Sequence, residues 1–200
     1  MQISAVLRCV VLGVFALVIA GCASVEKVDS GERLLGNRLS LTLAGAWNQI
    51  KLNGSGIEQI WSMEGLDIDQ LIIYPGLKEG EEVKAASFAR PSEPPRTIPK
   101  FRAGMQPDEI VRLFEVMFTR DGSSFKLVKL EPVNFARRKG FRFEYAYTRR
   151  KDGAQLLGLG YAAVDRGELF AMVYFAPRLT FFPRHRAMVD RLANGAALKA

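Results

Sequence analysis

The sequence predicts an α+β domain in which an antiparallel sheet is flanked by helices on both faces, an α/β/α sandwich. Three observations lead there. Between Phe125 and Ala176 apolar residues recur in four short runs, with turn sequences at Lys151-Asp152-Gly153 and Asp165-Arg166-Gly167. Two other stretches repeat apolar residues at helical spacing. The fourth run, Leu169 to Phe175, is apolar on both faces, so it belongs in the middle of the sheet with cover on either side.

Taken in order, the elements begin with Leu39, Leu41 and Leu43, which alternate with Ser40 and Thr42 as in a half-buried strand that Gly45-Ala46-Trp47 ends. Ile57 to Met63 and Leu66 to Tyr74 form a hairpin around Glu64-Gly65, closed by Pro75-Gly76. Leu77 to Gln106 reads as a long loop. It holds the acidic group Glu79-Gly80-Glu81-Glu82 and the prolines Pro91, Pro94, Pro95 and Pro99, which would remove helical hydrogen bonds. Loops of this length usually carry function or move, so it is a place for partner contact.

Pro107-Asp108-Glu109 opens a helix, and Ile110, Leu113, Phe114, Met117 and Phe118 follow on one face until Asp121-Gly122. Strands are expected over Phe125 to Val133, Phe141 to Thr148, Leu156 to Val164 and Glu168 to Ala176. In the second of these, Phe141, Phe143, Tyr145 and Tyr147 share a face opposite Arg142, Glu144 and Ala146. A last helix covers Pro183 to Asn194, with Met188, Val189 and Leu192 inward and Gly195 at its end.

Composition narrows the chemistry. The 200 residues are 48% hydrophobic and 24% charged, ordinary for a globular chain. Both cysteines, Cys9 and Cys22, lie in or beside the first apolar run, so the body has no thiol for a disulfide, a nucleophile or a zinc cluster. A single histidine, His185, excludes any site built on two imidazoles. The net charge is +7, and Arg8 is the only charge before Cys22.

That amino terminus is the most informative segment. Met1 to Arg8 carries one positive charge, and an apolar run of 11 residues, Cys9 to Ile19, follows it. The run fits an export signal, whereas a bilayer span needs about 20 apolar residues. The tetrapeptide Ile19-Ala20-Gly21-Cys22 that ends it resembles the lipobox of bacterial lipoproteins. The resemblance implies cleavage after Gly21, thioether attachment of a diacylglycerol at Cys22 and acylation of the new amino terminus. Each buried methylene would contribute about 0.8 kcal/mol, so several chains hold without a membrane-spanning helix. The alternative is an uncleaved anchor with a coincidental cysteine. Ala23 and Ser24 lack the aspartate that marks inner-membrane retention in enteric lipoproteins, which implies the outer membrane, facing the periplasm.

The domain organisation expected is a signal peptide over 1–21, a lipid-anchored tether over 22–36 and one domain over 37–197. The tether's small and charged residues would give it a reach of about 20 Å. Leu39-x-Leu41-x-Leu43-x-Gly45-x-Trp47 near the start of that domain, and Gly167-Glu-Leu-Phe-Ala-Met-Val-Tyr-Phe-Ala-Pro177 followed by a helix near its end, resemble the PsbP/Mog-type fold and the DcrB/LpqN-like lipoproteins. That resemblance spans most of residues 38 to 195 and implies a noncatalytic accessory or binding module, an analogy of fold alone.

Each candidate for chemistry has a plainer reading. His185 precedes Met188 by three residues, Val189 by four and Leu192 by seven, which puts it on the inward stripe of the last helix as a packed residue. The alternative is a hydrolase that uses it, although no Gly-x-Ser-x-Gly elbow accompanies it. Asp67 and Asp69, with Glu64 nearby, offer oxygens to calcium, yet their spacing also sets them on one exposed strand face. Asn53-Gly54-Ser55-Gly56 lacks the lysine of a phosphate loop and is a turn.

Arg137-Arg138-Lys139 and Arg149-Arg150-Lys151 bracket one strand and stand about 30 Å apart on opposite rims, too far for one nucleic-acid footprint. Solvated turn charge is their default, with contact to anionic lipid headgroups or an acidic partner as the alternative.

The expectation is therefore a lipid-anchored, noncatalytic periplasmic module that engages an envelope protein or surface component, with no cofactor and no nucleic acid. Second to it stands a carrier of a small apolar or aromatic ligand, with Phe141, Phe143, Tyr145, Tyr147 and Trp61 lining its pocket, although core packing is the plainer use of those rings.

Overall fold

Strand pairing begins where composition suggests a tether. The computed structural model describes residues 24–88 and 98–200, so the signal segment, Cys22 and the prolines Pro91, Pro94 and Pro95 lie outside the described residues. Within them, β1 (Ser24–Val28) pairs antiparallel with β4 (Trp47–Lys51), and β2 (Gly31–Leu35) pairs with β3 (Leu39–Leu43). The tether expected over 22–36 is thus corrected for residues 24–35. Composition hid both strands for a physical reason: β1 is an edge strand with an almost wholly exposed side-chain pattern, held by main-chain bonds rather than burial.

The remaining strands are β5 (Gln59–Ser62), β6 (Gln70–Lys78), β7 (Ser124–Phe135), β8 (Arg138–Thr148), β9 (Gln155–Asp165), β10 (Glu168–Pro177) and β11 (Ala197–Leu198). Helix α1 (Pro107–Thr119) separates β6 from β7, and α2 (Phe181–Asn194) follows β10. Eight strands form one sheet in the order β1-β4-β5-β6-β10-β9-β8-β7, every neighbouring pair antiparallel. A second sheet has the order β11-β3-β2.

Trp47 opens β4 rather than ending a strand, and β6 runs through Pro75-Gly76 instead of stopping there. It can do so because the register against β10 shifts between Leu169 and Phe170, where Gly76 takes φ +122°; at such a bulge a proline's missing donor leaves no ladder bond broken.

β10 sits mid-sheet, as its two-sided apolar run predicts. Leu169, Ala171, Val173 and Phe175 join one buried cluster with Ile110, Leu113, Phe114, Met117 and Phe118 of α1. Phe170, Met172, Tyr174 and Ala176 join a second with Phe182, Val189 and Leu192 of α2. The fold is sheet-dominated rather than a plain three-layer sandwich, because Leu39, Leu41, Leu43 and Leu198 of the small sheet share the second cluster with α2. No helix among the described residues is long and apolar enough to cross a membrane.

Local signals set the helix ends. The Gln106 backbone N–H donates to the Glu109 carboxylate at 2.7 Å, Pro107 stands in the first turn, and Asp108 and Glu109 place negative charge at the positive end of the helix dipole. Gly195 ends α2 with its N–H on the Arg191 carbonyl at 3.0 Å.

The described parts of the long loop pack rather than stray. Val83 and Phe101 are buried, Glu82 bridges to Lys100, and the Phe101 N–H donates to the Glu81 carbonyl at 2.9 Å. Buried Glu58 holds the segment from below, accepting from the N–H groups of Gly56 at 2.9 Å and Ala86 at 3.0 Å.

Candidate functional site

The lipobox and Cys22 lie outside the described residues, so the other candidates are the ones with geometry. His185 is buried on α2, and its Nε2 shares a hydrogen bond with Glu64 Oε1 at 2.8 Å. Arg184 reaches the same oxygen at 3.4 Å. This fastens α2 to the β5–β6 turn. The nearby Ser62 is fully buried and donates to Asp69 Oδ1 at 2.7 Å, while its own oxygen accepts the Gly65 N–H at 2.7 Å. Its proton is therefore committed to Asp69, and the histidine's bond goes to a glutamate. The arrangement joins structural elements and does not form the serine-to-histidine link a triad needs.

Asp69 corrects the expectation of an exposed strand face. It is fully buried and accepts from Ser62, from the Met63 N–H at 3.1 Å and from the Glu64 N–H at 2.8 Å, tying the hairpin turn together. Asp67 does stay exposed, and pairs with Lys151 at 2.8 Å. The two aspartates therefore do not converge, and no group of three or more metal-type ligands gathers among the described residues. Residues 53–56 form a turn, with Ser55 N–H on the Leu52 carbonyl at 3.2 Å.

The basic triplets stand at opposite ends of β8. Arg138 is bound to Asp165 at 2.8 Å, beside Arg38, which pairs with the same carboxylate. Arg149 makes a two-pronged contact with Asp152, at 3.0 and 2.7 Å, and donates to the Asp67 carbonyl at 2.8 Å. The Arg149 guanidinium holds the Asp152 carboxyl down at about 2. Much of the triplet charge is thus spent on local pairs.

The polar face of β8 enters another network. Arg142, largely buried, donates to Glu131 at 3.0 Å and to the Tyr161 hydroxyl at 3.1 Å, and pairs with Glu144 at 2.7 Å. Tyr161 in turn donates to Asp190 on α2 at 2.5 Å.

The aromatic face of β8 is packed into the core, so it does not form the lining a carrier would need. Phe114 of α1 stacks on Phe143 at 5.8 Å, and Phe118 meets Tyr145 and Tyr147 at 5.4 Å each. Trp61 lies in the opposite cluster, against Trp47 at 6.4 Å, so it shares no lining with those rings. The rings have room because Gly158 and Gly160 of β9 stand directly across from Tyr145 and Phe143. That signal is present in sequence, as two glycines at strand period in a run otherwise fit for large residues.

Burial has a measurable consequence here. The chain has five tyrosines, and burial raises the hydroxyl value of Tyr74, Tyr145, Tyr147, Tyr161 and Tyr174 alike, that of Tyr161 to about 12 with help from Asp190. A folded value above the unfolded one gives stability that is complete below pH about 10 and is lost as pH climbs through the folded value. Tyrosinate absorbance is therefore expected to stay flat through pH about 10, the midpoint of a free tyrosine, and to rise only together with loss of near-ultraviolet ellipticity. A step at that midpoint, with ellipticity intact, contradicts the packing.

One cavity opens at the end of the large sheet where α1 stops. It has a volume of about 180 Å³. Met117, Tyr147, Phe175 and Phe88 of the 3-10 turn Ala86–Phe88 form apolar walls, and Phe175 meets Phe88 at 6.0 Å and Tyr147 at 5.7 Å. Gln70 and Ser87 add polar groups, and Asp67, Asp121, Arg149 and Lys151 add charge. Of the predicted site residues, only Tyr147, Asp67, Arg149 and Lys151 come here. Gln70 and Ser87 carry no local signal in sequence; the loop and the hairpin bring them together.

No protein-family model matches the chain, and no curated protein matches it. Among solved structures it is similar to the solution structure of cyanobacterial PsbP (CyanoP) from Synechocystis sp., with a TM-score of 0.55 and 12% identity over 90% of this chain and 96% of that one. It is also similar to the crystal structure of LpqN, involved in cell envelope biogenesis of Mycobacterium tuberculosis, at a TM-score of 0.36 and 7% identity over 92% and 88%. The first likeness shows a PsbP-like fold, and the second is too loose to bear weight.

Proposed function

We propose that the chain is a lipid-anchored, noncatalytic accessory module of the bacterial cell envelope, facing the periplasm from the outer membrane and engaging an envelope protein or surface component. The observation that carries this reading is the run Cys9 to Ile19 ending in Ile19-Ala20-Gly21-Cys22, directly before a folded domain. The PsbP-like fold supports an accessory role by analogy, and the commitment of Ser62 to Asp69 and of His185 to Glu64 favours a structural use for the residues a hydrolase would need.

The fold changes what the anchor would do. β1 starts at Ser24, two residues after Cys22, and Ser24 stands opposite Lys51 at the margin of the sheet. Two residues span at most about 7 Å. Acyl chains at Cys22 would hold the domain directly against the bilayer with the Ser24–Lys51 end inward, rather than on a loose tether. The far edge strand, β7, would then be the part most free to meet a partner; it is long, and Val128 at its bulge is 60% exposed.

Cys22→Ala tests the reading. The parent protein is expected in the membrane fraction and the variant in the soluble periplasmic fraction, with the same thermal unfolding midpoint. Unchanged partition of the variant, together with no acyl mass on the parent, would count against the anchor.

A further inference from the structure

We infer that the cavity at the end of α1 is a binding site for a neutral, ring-sized molecule carrying a hydroxyl or N–H donor, such as a phenol. The site is independent of the membrane anchor. It moves ligand binding from the packed β8 face to a cavity that has both room and unpaired polar atoms.

Size comes first. A dry cavity of about 150 Å³ is known to admit benzene, and this one is about 180 Å³. Its apolar walls are three rings and a thioether: Phe88, Tyr147, Phe175 and Met117. Aromatic walls that meet edge to face, as Phe175 does with both other rings, favour a flat guest.

Two polar atoms define the guest's chemistry. Gln70 is 7% exposed; its Nε2 donates to the Leu66 carbonyl at 2.9 Å, which fixes the amide, while its Oε1 is buried without a hydrogen-bond partner. The Ser87 hydroxyl is buried and without one too. Buried polar groups are nearly always paired in folded proteins, so an acceptor and a hydroxyl left over in one cavity call for a donor from outside the chain.

The charged residues argue for neutrality. Lys151 is bound to Asp67 and Arg149 to Asp152, so the cations at the cavity already have carboxylate partners. Asp67 and Lys151, 79% and 64% exposed, mark its solvent side. A carboxylate guest would have to compete with Asp67 and Asp152 for the cations, and an ammonium guest with Lys151 for Asp67.

The test uses the full-length protein labelled with carbon-13 at methionine methyls, titrated with phenol, toluene, benzoate and benzylammonium. Phenol is expected to shift the Met117 methyl saturably, with toluene requiring about 25-fold more, the ratio two uncharged hydrogen bonds supply, one donated to Gln70 and one accepted from Ser87. Ser87→Ala, which breaks no hydrogen bond within the chain, should weaken phenol about fivefold, one bond's share, and leave toluene unchanged. Gln70→Met should do likewise, with thermal unfolding followed in parallel. A Met117 methyl that does not respond to phenol, equal affinities for phenol and toluene, tighter binding of benzoate or benzylammonium, or phenol affinity unaltered in Ser87→Ala would each overturn the assignment; the first would leave water as the occupant.

Discussion

Gly158→Ala is expected to destabilise the domain by at least about 3 kcal/mol, more than a methyl group ordinarily costs, because the new carbon has nowhere to go. Built on the existing backbone, it would stand 2.1 Å from Tyr145 Cζ and within 2.6 Å of two further ring carbons. Tyr145 cannot swing away. Its ring stacks on Phe125 at 4.6 Å, contacts Phe118 at 5.4 Å, and its hydroxyl donates to the Tyr174 carbonyl at 3.2 Å. Gly160→Ala should behave alike against Phe143, at 2.2 Å.

A double-mutant cycle separates this clash from a simple loss of strand geometry. Tyr145→Ala alone costs about 3 to 5 kcal/mol, and adding Gly158→Ala to it should cost less than about 1 more, since the obstructing ring is gone. Urea unfolding measures all three variants. Additive losses would mean that the glycine matters for its backbone and not for the ring above it.

Asp69→Ala is the second large effect. The substitution strips the partner from the Ser62 hydroxyl and from the N–H groups of Met63 and Glu64 at once, inside a turn that also holds the Glu64 contact to His185. A buried donor left unpaired costs about 1 to 3 kcal/mol and the two partly buried N–H groups less, so a loss of about 3 kcal/mol is expected, with cooperative unfolding at lower denaturant. Asp69→Asn keeps an oxygen that can accept from Ser62 and Glu64, and should lose about 1 kcal/mol. Equal losses for the two variants would show that the charge, rather than the accepted bonds, holds the turn.

Asp69 also shows where sequence reading stops. Its two-residue spacing from Asp67 is compatible with one strand face, but β6 begins only at Gln70 and the preceding residues form the turn, so the spacing rule had no strand to act on. The meander β7 to β10, the mid-sheet place of β10 and both helices were legible because each buries a face whose period is written in apolar residues. β1 and β2 were not, since an edge strand stabilised by main-chain bonds leaves little pattern. The turn between β7 and β8 misled for a related reason. Ala136 and Arg137 take positive φ without glycine or asparagine, so the strands run closer to it than the turn chemistry suggests.

The candidate sites divide along the same line. His185 was placed correctly on the inward stripe of its helix, but its partner Glu64 lies 121 positions away and only the fold supplies it. The aromatic stripe of β8 was read correctly as one face, and the residues of α1 that fill it were read correctly as another. That the two faces meet, with a cavity left at the end of α1, is a property of packing that neither pattern contains.

The anchor carries the functional reading, and the intact mass of the protein isolated from its native membrane tests it most directly. The account predicts a chain that begins at Cys22, lacks the first 21 residues and carries the added mass of a diacylglycerol and an amide-linked acyl group. A mass equal to the unmodified 200-residue chain would contradict it.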